Sequence, residues 1–282
     1  MPPLDGGFGP ATGFYAVLTS AINAILDQGY VDASQIAMWV EHIRRAAIRD
    51  MISPAVLEKT LNDTMRAIYR RNVDRAGMLK YHPGVERFTL ARVAPKLRSE
   101  LDRRIMASAN LIKLNRQEAI ETTLRRFSGW ATSIPPGGTD AASRRKVKEQ
   151  IRKPIASLPF VERRVAIDQG MKLTSSLSEI LATDGGALAG HWVSHFRQKN
   201  YDFRPEHKHL DIDGGLFVVP DNWALRQGLM KLDGARYITD IERPGEKPFC
   251  RCYYQWVYSL NRLPVSMLTE KGRAAVAVRL AA

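Results

Sequence analysis

Apolar residues recur every three or four positions through the first half of the chain, and every second position only in short runs near its end. In GFYAVLTSAINAILDQG, Phe14, Val17, Leu18, Ile22 and Ile25 share one helical face, and Gly29 stops the helix. Asp32 or Ser34 can cap a second helix carrying Ile36, Trp39, Val40, Ile43 and Ile48. Pro54 opens a third, where a missing backbone N–H costs nothing, and Leu57, Leu61, Met65 and Ile68 form its face. Arg66, Arg70 and Arg71 lie toward the negative pole of that helix. After a turn at Pro83-Gly84, the run Phe88–Val93 reads as strand or loop. Beyond Pro95, the residues Leu97, Leu101, Ile105, Ala109, Leu111, Ile112 and Ile120 predict one or two helices ending near Gly129.

The segment Ser133–Ser143, SIPPGGTDAAS, carries two prolines and two glycines and reads as a linker. A basic block follows, with Arg144, Arg145, Lys146, Lys148, Arg152 and Lys153. A further helix carries Val161, Val165, Ile167, Leu173, Leu177 and Ile180 and ends at Asp184-Gly185-Gly186. The pattern then changes. HWVSHFR, LFVVP, ARYITDI and CRCYYQWVYSL are short β-branched or aromatic runs between turn residues, which predict strands. The expected class is α+β: a mainly helical N-terminal half, then a C-terminal module of helices packed on a small antiparallel sheet. The expected division is a helical region 1–132, a linker and basic segment 133–158, the α+β module 159–260, and a loosely held tail 261–282.

Composition narrows the function classes. At 45% hydrophobic and 25% charged, the 282 residues can bury a core. No apolar run of about 18 residues predicts a membrane helix. The start, MPPLDGGFGP, lacks the basic and apolar regions of a signal peptide. Two cysteines make no disulfide framework, so a reducing, intracellular origin is expected. The formal charge of +13 favours a polyanionic neighbour, and the basic block from Arg144 to Lys153 is the candidate phosphate-contacting segment. A solvated helix face explains the same block without any ligand.

Both cysteines fall in the tripeptide Cys250-Arg251-Cys252, and two of the six histidines in His207-Lys208-His209. In extended chain, residues two apart point to one face, so each pair can present its donors together. Two imidazoles and two thiolates make a candidate tetrahedral zinc set: His207, His209, Cys250 and Cys252. The one-residue gap between the cysteines is shorter than zinc fingers use. Alternatively the cysteines pack as small hydrophobes and the histidines bond a turn. Two catalytic readings stand beside these: a cysteine nucleophile activated by histidine, and a metal-independent nuclease in which histidine moves a proton and arginine holds phosphate. No P-loop, HExxH or dinucleotide-binding glycine pattern occurs.

Taken in order, the helix VERRVAIDQGMKLTSSLSEI, the segment HWVSHFRQKNYDFRPEHKHLDIDGG and the closing PGEKPFCRC resemble the C-terminal module of the phage head morphogenesis proteins, the Mu F-like minor head proteins. The matching residues are Trp192, Ser194, Arg204, Pro205, His207, Asp213, Gly214, Pro244, Gly245, Cys250, Arg251 and Cys252, within Val161–Tyr258. The pattern gives His209 no role, and the stretch from His207 to Gly214 is longer than in the family. The resemblance implies a non-enzymatic minor component of a phage or prophage head, assembled in a bacterial cytoplasm. It implies a place in the head interior or at the portal vertex, with the portal protein and capsid as partners. Contact with packaged or ejected double-stranded DNA is a further implication. A toxin-like or nuclease enzyme and a non-catalytic DNA-binding module are the competing expectations.

Overall fold

The computed structural model describes residues 13–74, 77, 80, 82–83, 85, 87–194, 209 and 211–281. The chain is α+β, with helices dominating 14–184 and a small three-stranded antiparallel sheet with short helices after them. Among the described residues, no helix is long and apolar enough to cross a membrane.

Helices α1 (Phe14–Gln28), α2 (Ala33–Asp50) and α3 (Pro54–Val73) form where the apolar stripes place them. Asp32 caps α2 by accepting the backbone N–H of Gln35. Helix α4 (Arg87–Ala131) departs from expectation, because it starts ahead of Pro95 and absorbs the run read as strand or loop. Proline removes one helical hydrogen bond and crowds the preceding turn. Here the stripe Leu90, Val93, Leu97 and Leu101 continues across Pro95 and packs with Met65, Leu173, Leu177 and Leu181. Burial of that stripe outweighs the local defect. Helices α5 (Arg144–Ala156) and α6 (Leu158–Asp184) complete the helical part.

The chain divides into two compact units, 1–62 with 106–166 and 63–105 with 167–282. In the first unit, Phe14, Leu18, Ile22 and Ile25 of α1 pack with Ile43 of α2, Phe127 of α4 and Ile155 of α5. The Pro/Gly stretch read as a linker lies inside this unit. Its backbone meets the end of α1: Gly137 N–H donates to Gln28 O (3.0 Å) and Thr139 N–H to Leu26 O (2.9 Å). It thereby satisfies carbonyls that a helix C-terminus leaves open. Gly29, at φ +78, allows the approach, since a Cβ there would fall on Pro135 O.

In the second unit, strands β1 (Ala189–Val193), β2 (Leu216–Val218) and β3 (Tyr253–Val257) form a sheet in the order β2-β1-β3. Gly190 faces Phe217 and Trp256, and Trp192 faces Tyr254. Ala189, Val218 and Val257 belong to a core with Leu229, Met230 and Leu268; Trp192, Phe217, Tyr254 and Trp256 belong to another. ARYITDI is not a strand: Ile238–Asp240 forms a single 3₁₀ turn, with Asp240 Oδ2 accepting the Tyr237 N–H (2.8 Å). The tail expected to be loose contains helix α8 (Glu270–Ala281), a short helix α7 (Trp223–Arg226) having come earlier. Ala275 and Val276 of α8 pack on the core around Leu229, and Lys271 Nζ donates to Gln227 O (2.9 Å).

Candidate functional site

The approach to β3 alternates strictly: Cys250, Cys252, Tyr254 and Trp256 are buried, while Arg251, Tyr253 and Gln255 are exposed. Both thiols therefore share the sheet face that holds Trp192 and Phe217. His209 reaches them from a segment about forty residues earlier. Its Nδ1 stands 3.5 Å from Cys250 Sγ and 3.3 Å from Cys252 Sγ. The donor atoms of the three residues lie within 4.8 Å of one another. All three residues are buried, at 8%, 4% and 5% exposure for His209, Cys250 and Cys252.

Other groups fix the cluster in place. The fully buried Trp192 sets its ring edge-on to the His209 ring, with centroids 5.1 Å apart. Its indole N–H donates to Ser194 Oγ (2.9 Å), and that hydroxyl donates to His209 O (2.8 Å). Asp213 Oδ1 accepts the Ser194 backbone N–H (2.7 Å), and Gly214 N–H donates to Trp192 O (2.9 Å). Gly214, at φ +75, turns the chain back into β2 in a region of conformational space that glycine enters without penalty.

On the cysteine side, Gly245 has φ +82 and donates its N–H to Cys250 Sγ (3.4 Å). Pro244 is anchored on α6, where Ser175 Oγ–H donates to Pro244 O. Asp168, one further α6 residue, accepts the Phe249 N–H (2.6 Å), holding Phe249 at φ +61 just before Cys250. A non-glycine residue in that region is strained and persists only where neighbours impose it. The Cys250 thiol is held below its ordinary range, first by a hydrogen bond with Cys252, then by the His209 ring and the Gly245 N–H, against the opposing effect of burial.

Eight of the residues singled out by the resemblance, Trp192, Ser194, Asp213, Gly214, Pro244, Gly245, Cys250 and Cys252, thus come together with His209. Arg204, Pro205 and His207 lie outside the described residues. His209, to which the pattern gives no role, contacts both thiols. Asp168 and Ser175 escaped sequence reading. They stand seven apart, which places them on one side of α6, but the helix carries many other polar residues and nothing in the sequence singles these two out.

The basic block forms α5 in the first unit. Arg144 is drawn to Asp27 (2.7 Å) and Asn23 (3.0 Å), and Arg152 lies over the Tyr15 ring at 5.6 Å. Arg145 approaches Glu149 at 4.0 Å. Lys146 and Lys153 are exposed and Lys148 is half-buried. Part of the block therefore serves local packing, leaving Lys146 and Lys153 to face solvent.

Two thiolates and an imidazole are donors that suit zinc. A cysteine–histidine pair can also generate a nucleophile, but that chemistry needs a thiol the substrate can reach. Burial of both thiols favours a holding role. No family model, curated protein or solved structure matches the chain.

Proposed function

We propose that the chain is a non-catalytic assembly protein whose C-terminal part is a recognition and scaffolding module. Within that class, our reading is a minor head protein of the Mu F-like type, acting in capsid assembly at the portal vertex of a phage or prophage. One observation carries it. Trp192, Ser194, Asp213, Gly214, Pro244, Gly245, Cys250 and Cys252, spread over about sixty residues, form one continuous set of contacts. A motif kept together by contacts of this kind acts as the frame of a module. The buried thiols support a structural role over the nuclease or toxin-like alternative. The charge of +13 supports a place beside DNA, in the head interior or at its exit.

The test is genetic and biochemical. In a phage or prophage encoding this chain, the tagged protein should copurify with portal protein and procapsids. Deleting its gene should lower the yield of infective particles. Normal particles without the protein, or its absence from purified heads, would sink the reading. Incubation with DNA and RNA separates the enzyme alternative, which predicts cleavage that His207→Ala abolishes while the circular-dichroism spectrum is unchanged.

A further inference from the structure

We infer that His209, Cys250 and Cys252 bind a single zinc ion, which clips the segment ahead of β2 to the entry of β3. Zinc bonds thiolate sulfur at about 2.3 Å and imidazole nitrogen at about 2.0–2.1 Å, in a tetrahedron. Those lengths put a sulfur and a nitrogen ligand about 3.5 Å apart. The observed separations from His209 Nδ1, 3.5 Å to Cys250 and 3.3 Å to Cys252, are already at that spacing. All three donor atoms lie within 4.8 Å of one another, so one ion can be reached by the whole set through side-chain adjustment.

Three independent features distinguish this set from cysteines that merely pack. First, the donors converge from two segments about forty residues apart, with every donor residue buried. Second, the ligands are held from behind: the Gly245 N–H points at Cys250 Sγ, Ser194 holds the His209 main chain through its carbonyl, and the Trp192 ring packs edge-on to the imidazole. Supporting bonds of this kind set ligand direction in metal sites, and their loss weakens metal binding by about 10–100-fold. Third, charge balances. Two thiolates neutralise a divalent cation, so the buried complex carries no net charge, whereas two thiolates alone would carry two.

Binding is a ligand exchange: the thiols lose their protons to solvent as Zn–S bonds form, and the neutral imidazole donates its Nδ1 lone pair. Three protein ligands leave a fourth position for water or another side chain. The role is structural. The ion closes a loop of about forty residues, a cross-link that restricts the unfolded chain and so stabilises the folded one.

The full chain, purified from zinc-supplemented culture without chelator, should contain about one zinc per molecule by mass spectrometry of the metals. Cobalt(II) replacing it should give thiolate-to-cobalt charge-transfer absorption and the intense visible bands of a tetrahedral site. Cys250→Ser, Cys252→Ser and His209→Asn should each reduce zinc retention at least about tenfold, and Arg251→Ala, at an exposed site, should leave it unchanged. Ser194→Ala should weaken affinity without abolishing the cobalt bands. Removing zinc from the wild-type chain should lower its melting temperature, and restoring zinc should recover it. If the cysteine variants do not fold, the wild-type cobalt spectrum decides. Cobalt bands without a thiolate contribution, zinc retained when all three ligands are replaced, or a melting temperature indifferent to zinc would each overturn the inference. None of these results depends on whether the chain works in a phage head.

Discussion

His82 shows how a single burial sets a pH limit. It is 3% exposed, its Nδ1 lies 2.7 Å from the Tyr258 hydroxyl, and burial lowers its pKa from 6.5 to about 4. Between those values the unfolded chain binds a proton that the folded chain refuses, so stability is complete above pH 6.5 and declines as pH falls toward 4. At about 1.4 kcal/mol per pKa unit, the loss approaches about 3 kcal/mol. Urea denaturation at pH 7 and pH 4.5 should show a larger drop for the wild type than for His82→Phe, which cannot take up the proton. Equal drops would mean that His82 is accessible to protons in the folded chain. Residue-scale chemistry at the candidate site was only partly legible beforehand. The rarity of cysteine drew attention to Cys250 and Cys252, and their common face followed from strand periodicity. His209 stood with His207 in the candidate donor set, and its contact with both thiols rests on a tertiary approach across about forty residues, which no local pattern encodes.

Among the elements, helices with unbroken apolar stripes were readable from sequence, and those whose local signals conflict with packing were not. Helix α4 passes through Pro95 because the stripe from Leu90 to Leu101 is buried on both sides of it. ARYITDI has strand-like composition, yet Asp240 binds back to the Tyr237 N–H and closes a turn instead. Helix α8 looked like a loose tail because its alanine-rich sequence carries little amphipathic contrast. Its docking depends on a residue with no side chain: a Cβ on Gly272 would stand 2.0 Å from Leu229 O. Gly272→Ala should gain about 1 kcal/mol of helix propensity but incur about 1–3 kcal/mol of overpacking against backbone that cannot swing aside. The expected net result is a lower melting temperature, with α8 amides exchanging faster with solvent. A higher melting temperature would show that α8 does not depend on this close approach.

At the scale of the whole molecule, charge makes the plainest prediction. If the excess of 42 basic over 29 acidic residues serves DNA contact, affinity must fall steeply with salt as phosphate contacts release counterions. Lys146 and Lys153, exposed on α5, are the residues to change, since Arg144 and Arg152 are engaged by Asp27 and Tyr15. Lys146→Glu with Lys153→Glu should reduce the slope of log affinity against log salt by about 2, measured by fluorescence anisotropy on duplex DNA. An unchanged slope would direct the basic surface to a protein partner. The interleaving of the units has a different consequence, one concerning synthesis and recombination. Each unit joins an early stretch of chain to a late one, 1–62 to 106–166 and 63–105 to 167–282. On the ribosome, neither can close before its second stretch has emerged, so the early helices wait for partners translated more than forty residues later. A genetic exchange that cuts the gene at the Pro/Gly stretch near residue 138 splits both units at once. Inheritance of the C-terminal motifs in working form therefore requires that the 63–105 segment travel with them.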